Sequence, residues 1–222
     1  MKPLFLLPCL ILFFTVGLAQ DSVWKETKID ENLSIDMPGE VVIVDTLGQR
    51  AYRSIDGNAI YVVTKYKGVN ISVDNPESLD EFLDGMAEGF SKKMQKSGLK
   101  ITKPKSIHID SIEGRYLRCY TDNPNILIRE WIAHMFFVNG IAYTLVVAYT
   151  DDRTTKDQKG FTQFVQSINF NSTFIAENTF ANKGLSRSYK IGELIGSTII
   201  PLGIVGLILY FVLRKKKPKP RF

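Results

Sequence analysis

The sequence predicts an α+β body, an antiparallel sheet sandwiched by helices, followed by one C-terminal transmembrane helix. Three observations predict it. Strand-like segments bounded by turn residues fill most of residues 20–170, and two stretches among them repeat their apolar residues at helical spacing. Near the end, the twenty residues Leu194 to Leu213 carry no charged side chain and run straight into Arg214-Lys215-Lys216-Lys217.

Val23 to Asp30 and Leu33 to Met37 read as short strands closed by the Pro38-Gly39 turn signal. Val41 to Thr46 and Arg50 to Ile55 form a hairpin around Leu47-Gly48-Gln49, and Asp56-Gly57-Asn58 turns the chain into Ala59 to Lys67, rich in β-branched and aromatic residues. After Asn75-Pro76 the period changes. Leu79, Phe82, Leu83, Met86, Phe90 and Met94 fall on one helical face, with Asp80, Glu81, Asp84, Lys92 and Lys93 away from it. Acids lead and cations follow, as the helix dipole favours. Asn75 can cap this helix, Pro76 suits its first turn, and Gly98 stops it. Gly85 and Gly89 weaken its propensity, which implies close packing on a sheet at that point.

Four long strands are expected next: Leu99 to Ile109, Ile112 to Thr121, Ile126 to Val138 and Ile141 to Thr150, with tight turns marked by Glu113-Gly114 and Asn139-Gly140. In the third, both alternating faces are apolar: Trp131, Ala133, Met135 and Phe137 on one, Ile132, Phe136 and Val138 on the other. Such a strand lies mid-sheet with both faces covered. Thr154 to Ser167, with Phe161, Phe164, Val165 and Ile168 at helical spacing, supplies a second helix for the second face.

The run Leu33-Ser34-Ile35-Asp36-Met37-Pro38-Gly39-Glu40, the Tyr61-Val62-Val63 strand, one amphipathic helix, and then Gly114-Arg115, Arg129-Glu130-Trp131 and Gly140-Ile141-Ala142-Tyr143-Thr144 before a terminal helix resemble the PsbP-like superfamily. The resemblance covers Val23 to Phe170. That group includes photosystem oxygen-evolving subunits, a Ran-binding import factor and many bacterial secreted or anchored domains. The resemblance implies an antiparallel sheet between helices and a binding or assembly role without catalysis, in a bacterial, membrane-anchored member. It brings no catalytic motif, and the membrane helix and basic tail depart from the photosystem and import members, so their partners do not carry over.

Five regions follow from the charge and hydropathy pattern. Lys2, the apolar run Leu4 to Leu18 and the small residues Gly17-Leu18-Ala19 make residues 1–19 a signal peptide. Residues 20–170 are an extracytoplasmic domain, 171–190 a polar tether reaching roughly 25 Å, 191–213 the membrane helix and 214–222 a basic tail. Twenty residues at about 1.5 Å rise span roughly 30 Å, the thickness of a bilayer's hydrocarbon core. Within this anchor Pro201 is tolerated in lipid, and Tyr210 sits near the inner boundary. Six cations in the tail against three in the fifteen residues before the helix place the tail in the cytoplasm and the body outside, in a single-pass cell-membrane protein.

The formal charge of +5 comes from 28 cations and 23 acids. One cation belongs to the leader and six to the tail, so 21 face 23 acids in between and the body is near neutral. Nothing there points to nucleic acid. Outside the leader's Cys9, Cys119 is the single cysteine, so no internal disulfide holds the domain.

The search for chemistry is mostly negative. The two histidines, His108 and His134, lie on different expected strands without a ligand cluster, so no metal and no cofactor is expected. Ser106, His108 and Asp110 share a strand face, but same-face neighbours stand roughly 6.6 Å apart with parallel side chains, which suits a solvated face better than a relay. Glu130 and His134 share a face and are the polar site candidates. Cys119 between Arg118 and Tyr120 reads as a small buried residue. Three sequons begin at Asn32, Asn70 and Asn171. Gly192 and Gly196, with Gly203 and Gly206, leave room for a homodimer through the membrane helix. The expected function is a non-catalytic binding or assembly module outside the cytosol, with membrane lipid and an unidentified protein or small ligand as partners. The alternatives are a membrane-tethered hydrolase using Glu130, His134 or the Ser106 face, and a surface protein sorted through its C-terminal helix.

Overall fold

The computed structural model describes residues 22–46, 49–66, 76–171, 189 and 191–197. The leader, the sequon at Asn70, most of the tether, and everything from Thr198 through the basic tail lie outside the described residues. In chain order the elements are β1 (Trp24–Lys28), β2 (Leu33–Pro38), β3 (Val42–Thr46), β4 (Gln49–Asp56), β5 (Ala59–Tyr66), α1 (Pro76–Lys96), β6 (Lys100–Ile101), β7 (Lys105–Ile109), β8 (Ile112–Tyr120), β9 (Glu130–Val138), β10 (Ile141–Tyr149), α2 (Thr155–Gln166) and β11 (Asn169–Phe170). A short helical stretch follows at 191–197.

Eight strands form one sheet in the order β3-β4-β5-β10-β9-β8-β6, with β7 also paired to β8. All its pairings are antiparallel. The Asn139-Gly140 turn joins β9 to β10 with both residues at positive φ, 50° and 73°, the geometry of a two-residue hairpin whose twist matches its strands. Every residue of β9 is buried, as its doubly apolar pattern requires. On one face Trp131, Ala133, Met135 and Phe137 pack with Phe82, Leu83, Met86, Phe90 and Met94 of α1. On the other, Ile132, Phe136 and Val138 meet Phe164 of α2 together with Ile35, Met37 and Phe170.

Those last three belong to a second sheet. β1, β2 and β11 make a three-stranded layer that shares the covering of the second face with α2. The sequence pattern assigns that face to α2 alone, because β11 is two residues long and has no period of its own. The capping box of Thr154 and Asp157 starts α2, and Gly160 lets it approach the Tyr61 hydroxyl.

Three strand boundaries differ from expectation. The run 99–109 divides into β6 and β7 around Pro104, which has no N–H to give a ladder. Residues 121–129 form a loop, so β9 begins at Glu130. The β7–β8 turn is Asp110-Ser111, with Asp110 at φ 53°. Gly114 lies inside β8 instead, where a Cβ would stand 2.5 Å from the Phe136 ring.

Candidate functional site

Glu130 and His134 do not form a common site. Four residues along a strand separate them by roughly 13 Å. Glu130 is 7% exposed and accepts from the Arg118 guanidinium on one oxygen and from Arg153 Nε at 2.8 Å on the other. Arg153 in turn lies over the Tyr149 ring, 5.5 Å from its centre. His134 is walled by Tyr116 and Phe161, ring centres 5.3 and 6.0 Å away. Burial pushes its pKa down to about 4, which keeps the imidazole neutral, and its Nδ1 finds no hydrogen-bond partner among the described residues.

The other sequence candidates are equally plain. Ser106 and His108 are exposed on β7, and Asp110 sits in the turn beyond. Cys119 is fully buried in the α1-side core, and burial pushes its thiol up to about 12, far from a reactive thiolate. Among the described residues no group of three His, Cys, Asp or Glu is placed to hold a metal. Asn32 is buried, with its amide donating to the Tyr143 hydroxyl and its oxygen accepting from Asn139, so its sequon is not presented at the surface.

What the structure does build is a seam along α1. Gly85 and Gly89 do not face the sheet; they face Tyr189 and Glu193 at backbone distance. A Cβ on Gly85 would overlap the carbonyl oxygen of Tyr189, and one on Gly89 the carbonyl oxygen of Glu193. The reverse also holds, since a Cβ on Gly192 would overlap the carbonyl oxygen of Phe82 and one on Gly196 that of Met86. Two glycine pairs at the same four-residue spacing therefore interlock, and the helices touch without side chains between them. Position numbers rise together along both, so they run parallel.

Side chains close the rims. Ile195 is 3% exposed within the α1-side core and Ile191 packs against it. Lys92 Nζ reaches Glu193 at 2.6 Å and Glu88 at 2.9 Å. The sequence carries the signal for this contact, because Gly85-xxx-Gly89 and Gly192-xxx-Gly196 have matching spacing. Sequence reasoning treated each pair separately, assigning one to a sheet and the other to a dimer.

Beside the seam lies an open groove of about 610 Å³, lined by Asp84, Glu88, Thr102, Lys103, Arg115 and Tyr189 among others. Its floor is organised by Arg115, 5% exposed at the side chain, which donates to Asp80, to Asp84 at 2.6 Å and to Glu113 at 2.8 Å. Burial works against that charge, but the three carboxylates overcome it and the guanidinium holds its proton more tightly than in water. The same hydrogen bond holds Asp80 below the usual carboxylate range. Asp80 and Asp84 stay more than half exposed, off the apolar face as the helical pattern sets them, and reach Arg115 of β8 from that position.

Among the described residues no helix is long and apolar enough to cross a membrane. The expected anchor enters them only at 191–197, including Leu194, which is 63% exposed; Pro201, Tyr210 and Leu213 lie outside.

An antiparallel sheet held between a helical layer and a mixed layer is a PsbP-like fold. It is similar to the solution structure of cyanobacterial PsbP (CyanoP) from Synechocystis sp. PCC 6803, at 14% identity and a TM-score of 0.50 over 71% of this chain and 96% of that one. A crystal structure from Bacteroides thetaiotaomicron VPI-5482 matches at 10% identity and a TM-score of 0.36, over 63% of this chain and 45% of that one. No family model matches the chain, and no curated protein does.

Proposed function

We propose that the chain is a single-pass membrane protein of bacterial type whose body, residues 20–170, lies outside the cytosol and serves as a non-catalytic binding or assembly module. The observation that carries the non-catalytic part is the state of the buried polar groups. Glu130 is held by two guanidiniums, Arg115 by three carboxylates, and His134 is enclosed by aromatic rings. A hydrolase built on Glu130 and His134 would need the two to converge on one open site, and they stand apart. The PsbP-like fold supports the same reading, since that fold is typical of proteins without catalysis.

The membrane part rests on the sequence: the twenty uncharged residues before Arg214, and the cation excess beyond them. In this reading the lysines of the tail meet anionic lipid on the cytoplasmic side. Three measurements test the whole. Full-length protein in vesicles should resist carbonate extraction, and protease added outside sealed cells should digest the body. Crosslinking of the full-length membrane form should then recover one stoichiometric partner. Carbonate release would end the anchoring part, and turnover of a small molecule by the purified membrane form would end the non-catalytic part.

A further inference from the structure

The glycine seam and the expected membrane span compete for the same residues. Gly85 stands level with Gly192 and Gly89 with Gly196, with both helices running the same way. α1 continues past Gly89 to Lys96, and its last turns carry Lys92, Lys93 and Lys96. A helix prolonged from 191–197 along the same line would bring residue 203 level with Lys96. Ten apolar residues, 204–213, would remain before Arg214, about 15 Å of helix against a hydrocarbon core of roughly 30 Å. Lowering the body to lengthen the span would push the three lysines into lipid, where charged side chains are strongly disfavoured. For an anchor that is one straight helix, the full thickness is reached when Leu194 to Ser197 leave the seam.

We infer that the Gly85-Gly89 groove of α1 is a docking surface for a helix with small residues four apart, that its resident occupant is this chain's own segment 191–197, and that membrane insertion vacates it. The fit is specific. Each glycine of one helix meets backbone of the other, Ile195 fills the core edge beside Phe82 and Met86, and Lys92 takes Glu193 at the rim. Any larger residue at 192 or 196 would strike a carbonyl of α1, so register and chemistry are both set by the groove. Once the segment is drawn into lipid, the same groove opens on the outer side with its backbone uncovered. The inference rests on the membrane reading above and adds to it a consequence for the body.

The test uses the mature full-length chain carrying Lys92→Cys and Glu193→Cys, treated with a short bismaleimide. Cys119 is buried, and its silence toward maleimide reports that the body stays folded. A second full-length variant adds Ile204→Lys and Leu207→Lys, which blocks insertion. The non-inserting chain should crosslink internally. The carbonate-resistant chain in vesicles should crosslink about tenfold less, the shift expected when a strongly favoured second position draws the segment away. Equal crosslinking in the carbonate-resistant fraction would overturn the exchange while leaving the anchor in place. Release of the unaltered anchor by carbonate would overturn both, and the groove would then keep its occupant permanently.

Discussion

The two faces of the eight-stranded sheet are built on opposite principles. Toward α2 the core is aromatic and cross-braced. Tyr61 lies 5.2 Å from both Trp24 and Phe164, and Phe136 lies 5.2 Å from Phe170. A buried ion pair closes one end, with Lys65 Nζ 2.8 Å from the Ile29 carbonyl and 3.1 Å from Asp30, whose carboxylate also accepts from the Tyr143 hydroxyl at 3.0 Å. Toward α1 the sheet side is well packed, but the helix's outer side is lined by glycine and covered by a segment far away in sequence. One face is a closed core; the other ends in a removable contact. A fold can thus keep its stability in one layer and place exchange in another.

The comparison breaks most sharply at Phe164. Phe164→Ala should cost about 3–5 kcal/mol, since it opens a cavity under α2 and removes the ring that packs at a tilt on Tyr61. Urea unfolding measures it, and a loss below 1 kcal/mol would show that this face is not the stabilising one. Lys65→Met should cost about 3 kcal/mol by leaving Asp30 buried without its cation. A variant as stable as the parent would remove the ion pair from the account.

His134 makes the same face sensitive to acid. Its folded pKa of about 4 lies below the ordinary 6.5, so the unfolded chain takes up the proton first. Stability is then full above pH 6.5 and falls as pH drops from 6.5 toward 4, by roughly 3 kcal/mol over that window. His134→Leu should flatten this limb, and an unchanged limb would assign it to other groups.

On the α1 face, Gly85→Leu should cost about 2–3 kcal/mol, the burial lost by Ile195 and part of that of Ile191 less roughly 1 kcal/mol gained in helix propensity. Hydrogen exchange should show residues 191–197 opening while β9 and β10 stay protected. Loss of protection in both together would mean the seam belongs to the core. The smallest effect is expected at Lys100, whose partner Asp122 is 78% exposed. Lys100→Ala should leave the urea midpoint where it is, because water screens a pair this exposed, and a shifted midpoint would give the pair a structural role.

Much of this body is legible in the sequence because its hydrophobic periods are clean. The α1 stripe from Phe82 to Met94, the doubly apolar β9 and the Asn139-Gly140 turn each carry a local signal strong enough to fix an element. The three-stranded layer is not legible, since β11 holds two residues whose pairing with Leu33 and Ser34 is decided by tertiary closure. Gly114 shows a similar limit. Beside Glu113 it has the look of a turn, and only the neighbouring Phe136 explains why a strand needs glycine there. Of the polar candidates, the sequence could place Glu130 and His134 on one face, but not the arginines that occupy the first or the rings that enclose the second. The seam joins residues about a hundred positions apart, and no periodicity within either helix reports which partner fills a small-residue notch.

The parallel course of α1 and segment 191–197 also sets how the body responds to a pull. Tension applied from the C-terminal side along the helix would load the whole interlock in shear, because sliding drives glycine-flanking side chains against carbonyl groups at several points at once. Tension applied sideways would peel the contacts one after another. The direction of traction, more than its size, would decide whether the strap holds.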